Sequence, residues 1–277
     1  MTGVLINGEF KETINVFDRG LHYGDGLFET MAVRNGKINL WNAHWQRLSL
    51  GCKKLSINLP NKEIIENEIA LLDKNNRDRQ GHYIVKLIVT RGIGERGYRY
   101  PNKQNITRIL TTHSWPNYPD EFLSKGVALR YCETTLSKNS QLAGIKHLNR
   151  LEQVLARNEW DTDEFQEGLM LTDDGHVVDG TMSNIFAVKD NMIFTPDLSL
   201  CGVEGVMRKT VVEIAKTIGF SVYEKNFTQA ELEQADELFL TNSIFGIWPV
   251  RIIAKTRFTK MGIITKQIQD KLVELIK

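Results

Sequence analysis

The chain is short of cysteine, short of proline and nearly neutral, and it has no long apolar run. Each shortage excludes something. The three cysteines, Cys52, Cys132 and Cys201, are odd in number and far apart. They fit buried thiols in a reducing cytoplasm and neither a disulfide frame nor a zinc site. The six histidines show no ligand-like pairing with each other or with cysteine, so no metal is expected. A formal net charge of +1 gives no electrostatic case for nucleic acid or an anionic membrane as main partner. No apolar stretch is long enough to span a bilayer. Met1 to Phe10 has no basic n-region and no apolar h-region, so no signal peptide is expected. There is no internal repeat and no low-complexity tract. What is there is 277 residues, 42% hydrophobic and 25% charged: an ordinary globular composition, long enough for two domains or one large one.

The first part reads mainly as strands with two helices. Val4–Ile6 and Leu27–Val33 are strand-like, and Asn35-Gly36 is a hairpin signal before Ile38–Trp41. Trp41, His44, Trp45, Leu48, Cys52 and Leu55 recur at helical spacing, with Asn42 as the expected cap. Asn61 caps a second helix that buries Ile65, Ile69 and Leu72. Strands follow at Tyr83–Thr90 and Arg108–Thr112. Pro116 and Pro119, two of only six prolines, stiffen a helix-free segment. The expected division is residues 1–114, a linker over 115–120, and 121–277. The second part alternates more: a strand at Val127–Cys132, a helix from Leu148 to Trp160, and a hairpin around Asp174-Gly175. A second hairpin turns at Asp190-Asn191, and a helix runs from Gly205 to Ile218, closed by Gly219. Ser221–Glu224 is a strand, and Thr228 with Glu231 forms a capping box. Leu238–Thr241 is a strand, and Ile264, Ile268, Leu272 and Ile276 stripe a terminal helix.

Four places bear on chemistry. Lys146 lies between Ala143-Gly144 and the start of the Leu148 helix. A lysine partly desolvated there would have the lowered pKa of a Schiff-base lysine, and otherwise it is a surface lysine at a helix start. The loop Leu200 to Val206 feeds a helix N-terminus, a ready anion site or an ordinary helix start. Arg47 on its helix offers a bidentate charge to a phosphate, or simply faces solvent. Asp179 ends a strand at the polar turn Gly180-Thr181-Met182-Ser183. It is either turn chemistry or an acid aimed at a cationic ring nitrogen. A lysine, a carboxylate and a phosphate-binding helix start are what pyridoxal phosphate requires. Gly92-Ile93-Gly94-Glu95-Arg96-Gly97 matches G-x-G-x-x-G, but Tyr98-Arg99-Tyr100-Pro101 follows where a dinucleotide site needs a helix. A mobile loop presenting Arg96 and Tyr98 to a carboxylate is the better reading, beside that of a solvated basic loop.

Asp18-Arg19-Gly20-Leu21-His22-Tyr23-Gly24-Asp25-Gly26-Leu27-Phe28-Glu29-Thr30 resembles the opening motif of class IV (fold type IV) pyridoxal-phosphate enzymes. Ala143-Gly144-Ile145-Lys146-His147-Leu148-Asn149-Arg150-Leu151-Glu152 resembles their aminodeoxychorismate lyase branch most closely. The likeness runs from Leu5 to Val250. It implies an α+β (mixed α/β) fold of two domains: a smaller N-terminal α/β domain, and a larger C-terminal cofactor-binding domain with a β-barrel-like core. It implies pyridoxal 5'-phosphate as cofactor, a cytoplasmic homodimer, and conversion of 4-amino-4-deoxychorismate to 4-aminobenzoate and pyruvate in folate synthesis. By resemblance, Lys146 carries the cofactor and moves protons, and Thr30 faces the reacting carbons. Arg47, the Val203 and Glu204 backbone and Ser243 hold the phosphate. Asp179 meets the ring nitrogen, Asn242 lies beside the cofactor, and Phe28, Arg96 and Tyr98 meet substrate. At Asp179 the family usually has glutamate, so the acid here reaches one methylene less. The alternative on the same scaffold is a D-amino acid or branched-chain aminotransferase. Thr30, Asn242 and the His147 to Arg150 run argue against it. A non-catalytic binding protein that kept the scaffold is the alternative of another class.

Overall fold

The computed structural model describes residues 3–75, 81–258 and 262–276. It divides into two compact units: residues 1–116 with 145–149, and residues 117–144 with 150–277. The short segment 145–149 thus belongs with the first unit, although the sequence around it belongs with the second.

In the first unit the strands are β1 (Val4–Ile6), β2 (Glu9–Phe10), β3 (Gly26–Arg34), β4 (Lys37–Ile38), β5 (His82–Thr90) and β6 (Thr107–Ser114). They form one antiparallel sheet in the order β2-β1-β6-β5-β3-β4. Asn35 and Gly36 both have positive φ, as the tight turn between β3 and β4 requires. The helices are α1 (Arg19–Tyr23), α2 (Trp41–Leu55) and α3 (Lys62–Asn75). Asn61 caps α3 as expected, its Oδ1 accepting from the backbone N–H groups of Glu63 and Ile64, and Ile65, Ile69 and Leu72 are buried. Asn42 does not cap α2. The capping position falls on Leu40, in the left-handed region. Asn42 lies inside the helix and accepts from Lys62 Nζ.

The second unit contains β7 (Val127–Leu136), β8 (Glu167–Thr172), β9 (Val177–Gly180), β10 (Asn184–Lys189), β11 (Met192–Thr195), β12 (Val222–Glu224), β13 (Glu237–Asn242), β14 (Gly246–Ile253) and β15 (Thr256–Arg257). Its helices are α4 (Glu121–Ser124), α5 (Leu151–Arg157), α6 (Val206–Thr217), α7 (Gln229–Glu233) and α8 (Ile263–Leu275). The sheet runs β12-β11-β10-β13-β14-β7-β8-β9, with β15 on β14. β9 and β10 stand far apart in that order, yet three residues connect them and Gly180 N–H donates to the Ser183 carbonyl. The sheet therefore curls into a half-barrel around a core that includes Leu129, Leu169, Ile185, Leu240 and Trp248. The expected α+β fold with a barrel-like core is the one found.

Two departures have clear causes. Strand β14 is absent from the sequence reading because Pro249 argues against a central strand. Its ladder to β7 begins only at Val250 and shifts register before Ile252, which accommodates the missing N–H. The helix expected over Leu148 to Trp160 is confined to Leu151–Arg157. Residues 146–148 pair instead with the start of β3, and tertiary hydrogen bonds outweigh a local periodic pattern. Among the described residues, no helix is long and apolar enough to cross a membrane.

Candidate active site

In the first unit the site is built on β3. Its alternation buries Leu27, Glu29 and Met31 on one face and leaves Phe28 and Thr30 half-buried on the other. Lys146 reaches that second face through backbone pairing. Phe28 N–H donates to the Lys146 carbonyl, and Leu148 N–H donates to the Gly26 carbonyl, both at 3.0 Å. Lys146 is therefore not at a helix start. It sits on a short extended segment locked to a strand, with Nζ 4.4 Å from the centre of the Phe28 ring. Lys86 lies opposite Thr30 across the ladder, and its Nζ is 5.2 Å from the same ring. Lys86 escaped the sequence reading. The available signal was one lysine in an otherwise apolar strand, Tyr83-Ile84-Val85-Lys86-Leu87-Ile88-Val89.

Behind that face is a buried ionic cluster, also unforeseen. Glu29, 1% exposed, accepts from Arg47 Nε (2.8 Å) and Nη2 and faces His44 Nδ1 at 2.6 Å. Burial alone would raise the Glu29 carboxyl, but Arg47 and His44 outweigh it and hold it down at about 2. Burial holds His44 below its ordinary value against the pull of Glu29. A carboxylate only accepts, so His44 Nδ1 carries the proton. Arg47 is thus not a surface residue. Its guanidinium is fixed by two bonds to Glu29, which leaves its orientation little freedom.

The Gly92 to Gly97 run opens no helix. A Cβ at Gly92 would lie 1.8 Å from the Asn105 carbonyl oxygen, so close approach of backbone accounts for that glycine. Where a mobile loop was expected, the chain is held. Arg19 Nη1 and Nη2 donate to the carbonyls of Gly97 and Tyr98, and Nε donates to Asp25. Asp25 also binds Arg91, which reaches the Leu55 and Ser56 carbonyls at the end of α2. Burial opposes ionisation of Asp25, but the two arginines overcome it and lower its pKa. The glycine-rich opening motif therefore holds the loop that presents Arg96 and Tyr98. Both side chains are exposed, Tyr98 at 86%.

In the second unit Asp179 is the penultimate residue of β9 and is 6% exposed. Its Oδ2 accepts from Val203 N–H (2.8 Å) and its Oδ1 from Asn184 Nδ2 (2.6 Å). Burial pushes its carboxyl up to about 7 against these donors and the charges of Arg208 and Arg150. Asn184, which no sequence motif singled out, also donates to the Val203 carbonyl (2.9 Å). The turn between Asp179 and Asn184 is organised by Glu167. This buried carboxylate accepts from the Gly168, Thr181 and Met182 N–H groups and from the Thr181 and Ser183 hydroxyls. Asn242 Nδ2 donates to the Met182 carbonyl (2.6 Å), and Ser243 is half-buried in the turn after β13.

The loop before α6 meets Gly144. Gly144 N–H donates to the Gly202 carbonyl, and Glu204 N–H donates to the Gly144 carbonyl. The backbone N–H groups of Val203 and Glu204, expected to cradle a phosphate, are therefore engaged elsewhere. The first-turn N–H groups of α6, at Val206 and Met207, have no acceptor within the helix. The capping position is Gly205, extended and without a side-chain cap. A Cβ there would stand 2.0 Å from Asn184 Oδ1, so only glycine lets the helix begin this close to Asn184. These features suit an anion at the start of α6.

Residues 26–253 match the family described as amino-transferase class IV. The chain is 35% identical to an aminodeoxychorismate lyase from Vibrio harveyi, covering 96% of this chain and 98% of that protein. It is 30% identical to a D-alanine aminotransferase from Listeria innocua, covering 99% and 96%. The crystal structure of 4-amino-4-deoxychorismate lyase from Pseudomonas aeruginosa superposes with a TM-score of 0.93 at 44% identity, covering 98% of each chain. By this match over most of its length, the chain belongs to the class IV aminotransferase family.

Proposed function

We propose that the chain is a pyridoxal-phosphate-dependent lyase that converts 4-amino-4-deoxychorismate to 4-aminobenzoate and pyruvate in folate synthesis. The observation that carries this reading is the pairing of residues 146–148 with β3. That pairing puts Lys146 over Phe28, on the Thr30 face. The likeness to proteins named as lyases, at 44% and 35% identity against 30% for the D-alanine aminotransferase, supports the lyase over the transferase.

The residues fit the cofactor. Lys146 Nζ holds it. In the second unit the α6 N–H groups of Val206 and Met207 would take its phosphate, and in the first unit Arg47, braced by Glu29, offers a fixed charge of the right sign. The Ser243 hydroxyl and the Val203-Glu204 loop shape that end, and Asn242 lies alongside. Asp179 meets the ring nitrogen. Bound there, pyridoxal phosphate supplies an electron sink for the charge left when a proton is removed from substrate. Lys146 Nζ takes the proton from the amine-bearing ring carbon. The Thr30 hydroxyl hands a proton to the methylene carbon of the departing enolpyruvate, which leaves as pyruvate, while the ring becomes aromatic. One proton is lost from the ring and one is gained by pyruvate, so the balance closes. The substrate's two carboxylates need cationic or hydroxyl partners. Lys86, Arg96 and Tyr98 supply them, and Phe28 lines the ring.

The same reading makes the chain a cytoplasmic homodimer that acts on a small molecule. Exposed apolar side chains on α5 (Leu151, Val154, Leu155) and around α1 (Val16, Phe17, Leu21) support a second copy as partner. The test is purified chain with cofactor, scanned for the visible band of a lysine-bound cofactor and assayed for 4-aminobenzoate. The native chain should show both. Lys146→Ala should lose the band and at least roughly a thousandfold in rate. A wild-type protein with neither would leave the non-catalytic reading in place.

A further inference from the structure

We infer that Asn184 is a positioning residue: its side-chain amide ties the Asp179 carboxylate to the Val203 loop, so one side chain sets both the acid facing the ring nitrogen and the approach to the phosphate. The inference rests on the proposed cofactor role of Asp179.

Three groups close a ring. Asn184 Nδ2 donates to Asp179 Oδ1 at 2.6 Å and to the Val203 carbonyl at 2.9 Å. Val203 N–H returns to Asp179 Oδ2 at 2.8 Å. The Val203 carbonyl only accepts, so chemistry fixes which way the amide points. Both amide hydrogens are used. Asn184 is 5% exposed at the head of β10, and Gly205 packs against its other end. An aspartate has a short arm, and two donors on its two oxygens leave the carboxylate no freedom to turn. Val203 is bonded through both its N–H and its carbonyl, three residues before α6 begins. Displacing Asn184 therefore loosens the acid and the helix approach together.

The surroundings give this a pH signature. Arg208 on α6 and Arg150 before α5 add positive charge near Asp179, and the Cys201 thiol, itself pushed up by burial, faces it. Burial of Asp179 works against all of them. Without the amide, the carboxyl stays protonated further into the neutral range, where it cannot counter a cationic nitrogen.

The experiment titrates the cofactor-free full chain with pyridoxal phosphate between pH 5.5 and 9, following visible absorbance and tryptophan fluorescence. Wild-type affinity should weaken as pH falls through about 7. Asn184→Ala should move that midpoint up by about one pH unit or more, since a hydrogen bond to a charged group is lost. Asn184→Ser keeps one donor and should move it less. It also serves as the folded variant if alanine unfolds the chain, with circular dichroism as the check. Asp179→Asn should abolish the pH dependence. If Asp179→Asn flattens the profile but both Asn184 variants keep the wild-type midpoint, the inference is overturned and the proposed function stands. If Asp179→Asn leaves affinity and profile unchanged, the role of Asp179 fails, and the inference fails with it.

Discussion

Asp179 shows how one buried residue can cost the fold something. Burial raises its carboxyl from 3.8 to about 7, so the folded chain holds a proton there that the unfolded chain has released. Stability therefore falls as pH rises through that window, and below it the penalty is absent. The cofactor-free Asp179→Asn variant should match wild type near pH 4. It should gain on it by on the order of 1 kcal/mol per pH unit toward pH 7. Thermal midpoints at several pH values check this, and a constant gap would contradict it. Glu29 is the opposite case. Equally buried, it is paired with Arg47 and His44 and held down at about 2, so it stays ionised at any pH where the enzyme would work. The difference lies in the partners. Asp179 has two neutral donors, whereas Glu29 has an arginine bonded through two nitrogens.

At the scale of elements, the loop after β5 is governed by residues far from it in sequence. Arg19 holds the Gly97 and Tyr98 carbonyls while Asp25 holds Arg19. Lysine in place of Arg19 keeps a charge for Asp25 but cannot reach two carbonyls with one point charge. Arg19→Lys should raise KM roughly thirtyfold, from two lost hydrogen bonds of about 1 kcal/mol each, with kcat within about twofold. An unchanged KM would detach the clamp from substrate binding. What the sequence revealed follows the range of the interactions. The α3 cap, the turn at Asn35-Gly36, the capping box at Thr228 and the stripe of α8 are local patterns, and each was legible. The short α5, the strand through Pro249 and the engaged amides of Val203 and Glu204 depend on partners far away in sequence. Lys146 and Asp179 could be named because they stand in recognisable motifs. Asn184, Lys86 and Glu29 could not, because a turn residue, a strand lysine and a core glutamate acquire meaning only once their neighbours are placed.

The whole molecule has a six-stranded antiparallel unit, which carries Lys146, and a curled-sheet unit, which carries Asp179 and the start of α6. The family supports both lyases and aminotransferases on this scaffold. In the proposed reading the two chemistries share a proton removal at Lys146 and part at the next step. A lyase expels enolpyruvate, whereas a transferase returns the proton and passes the amino group on. One measurement separates them. The holoenzyme is given 4-amino-4-deoxychorismate together with an excess of a 2-oxo acid, and 4-aminobenzoate, pyruvate and new amino acid are quantified in the same sample. The lyase reading requires 4-aminobenzoate and pyruvate in equal amounts with little new amino acid. New amino acid accumulating from the 2-oxo acid, with no 4-aminobenzoate formed, would contradict that reading.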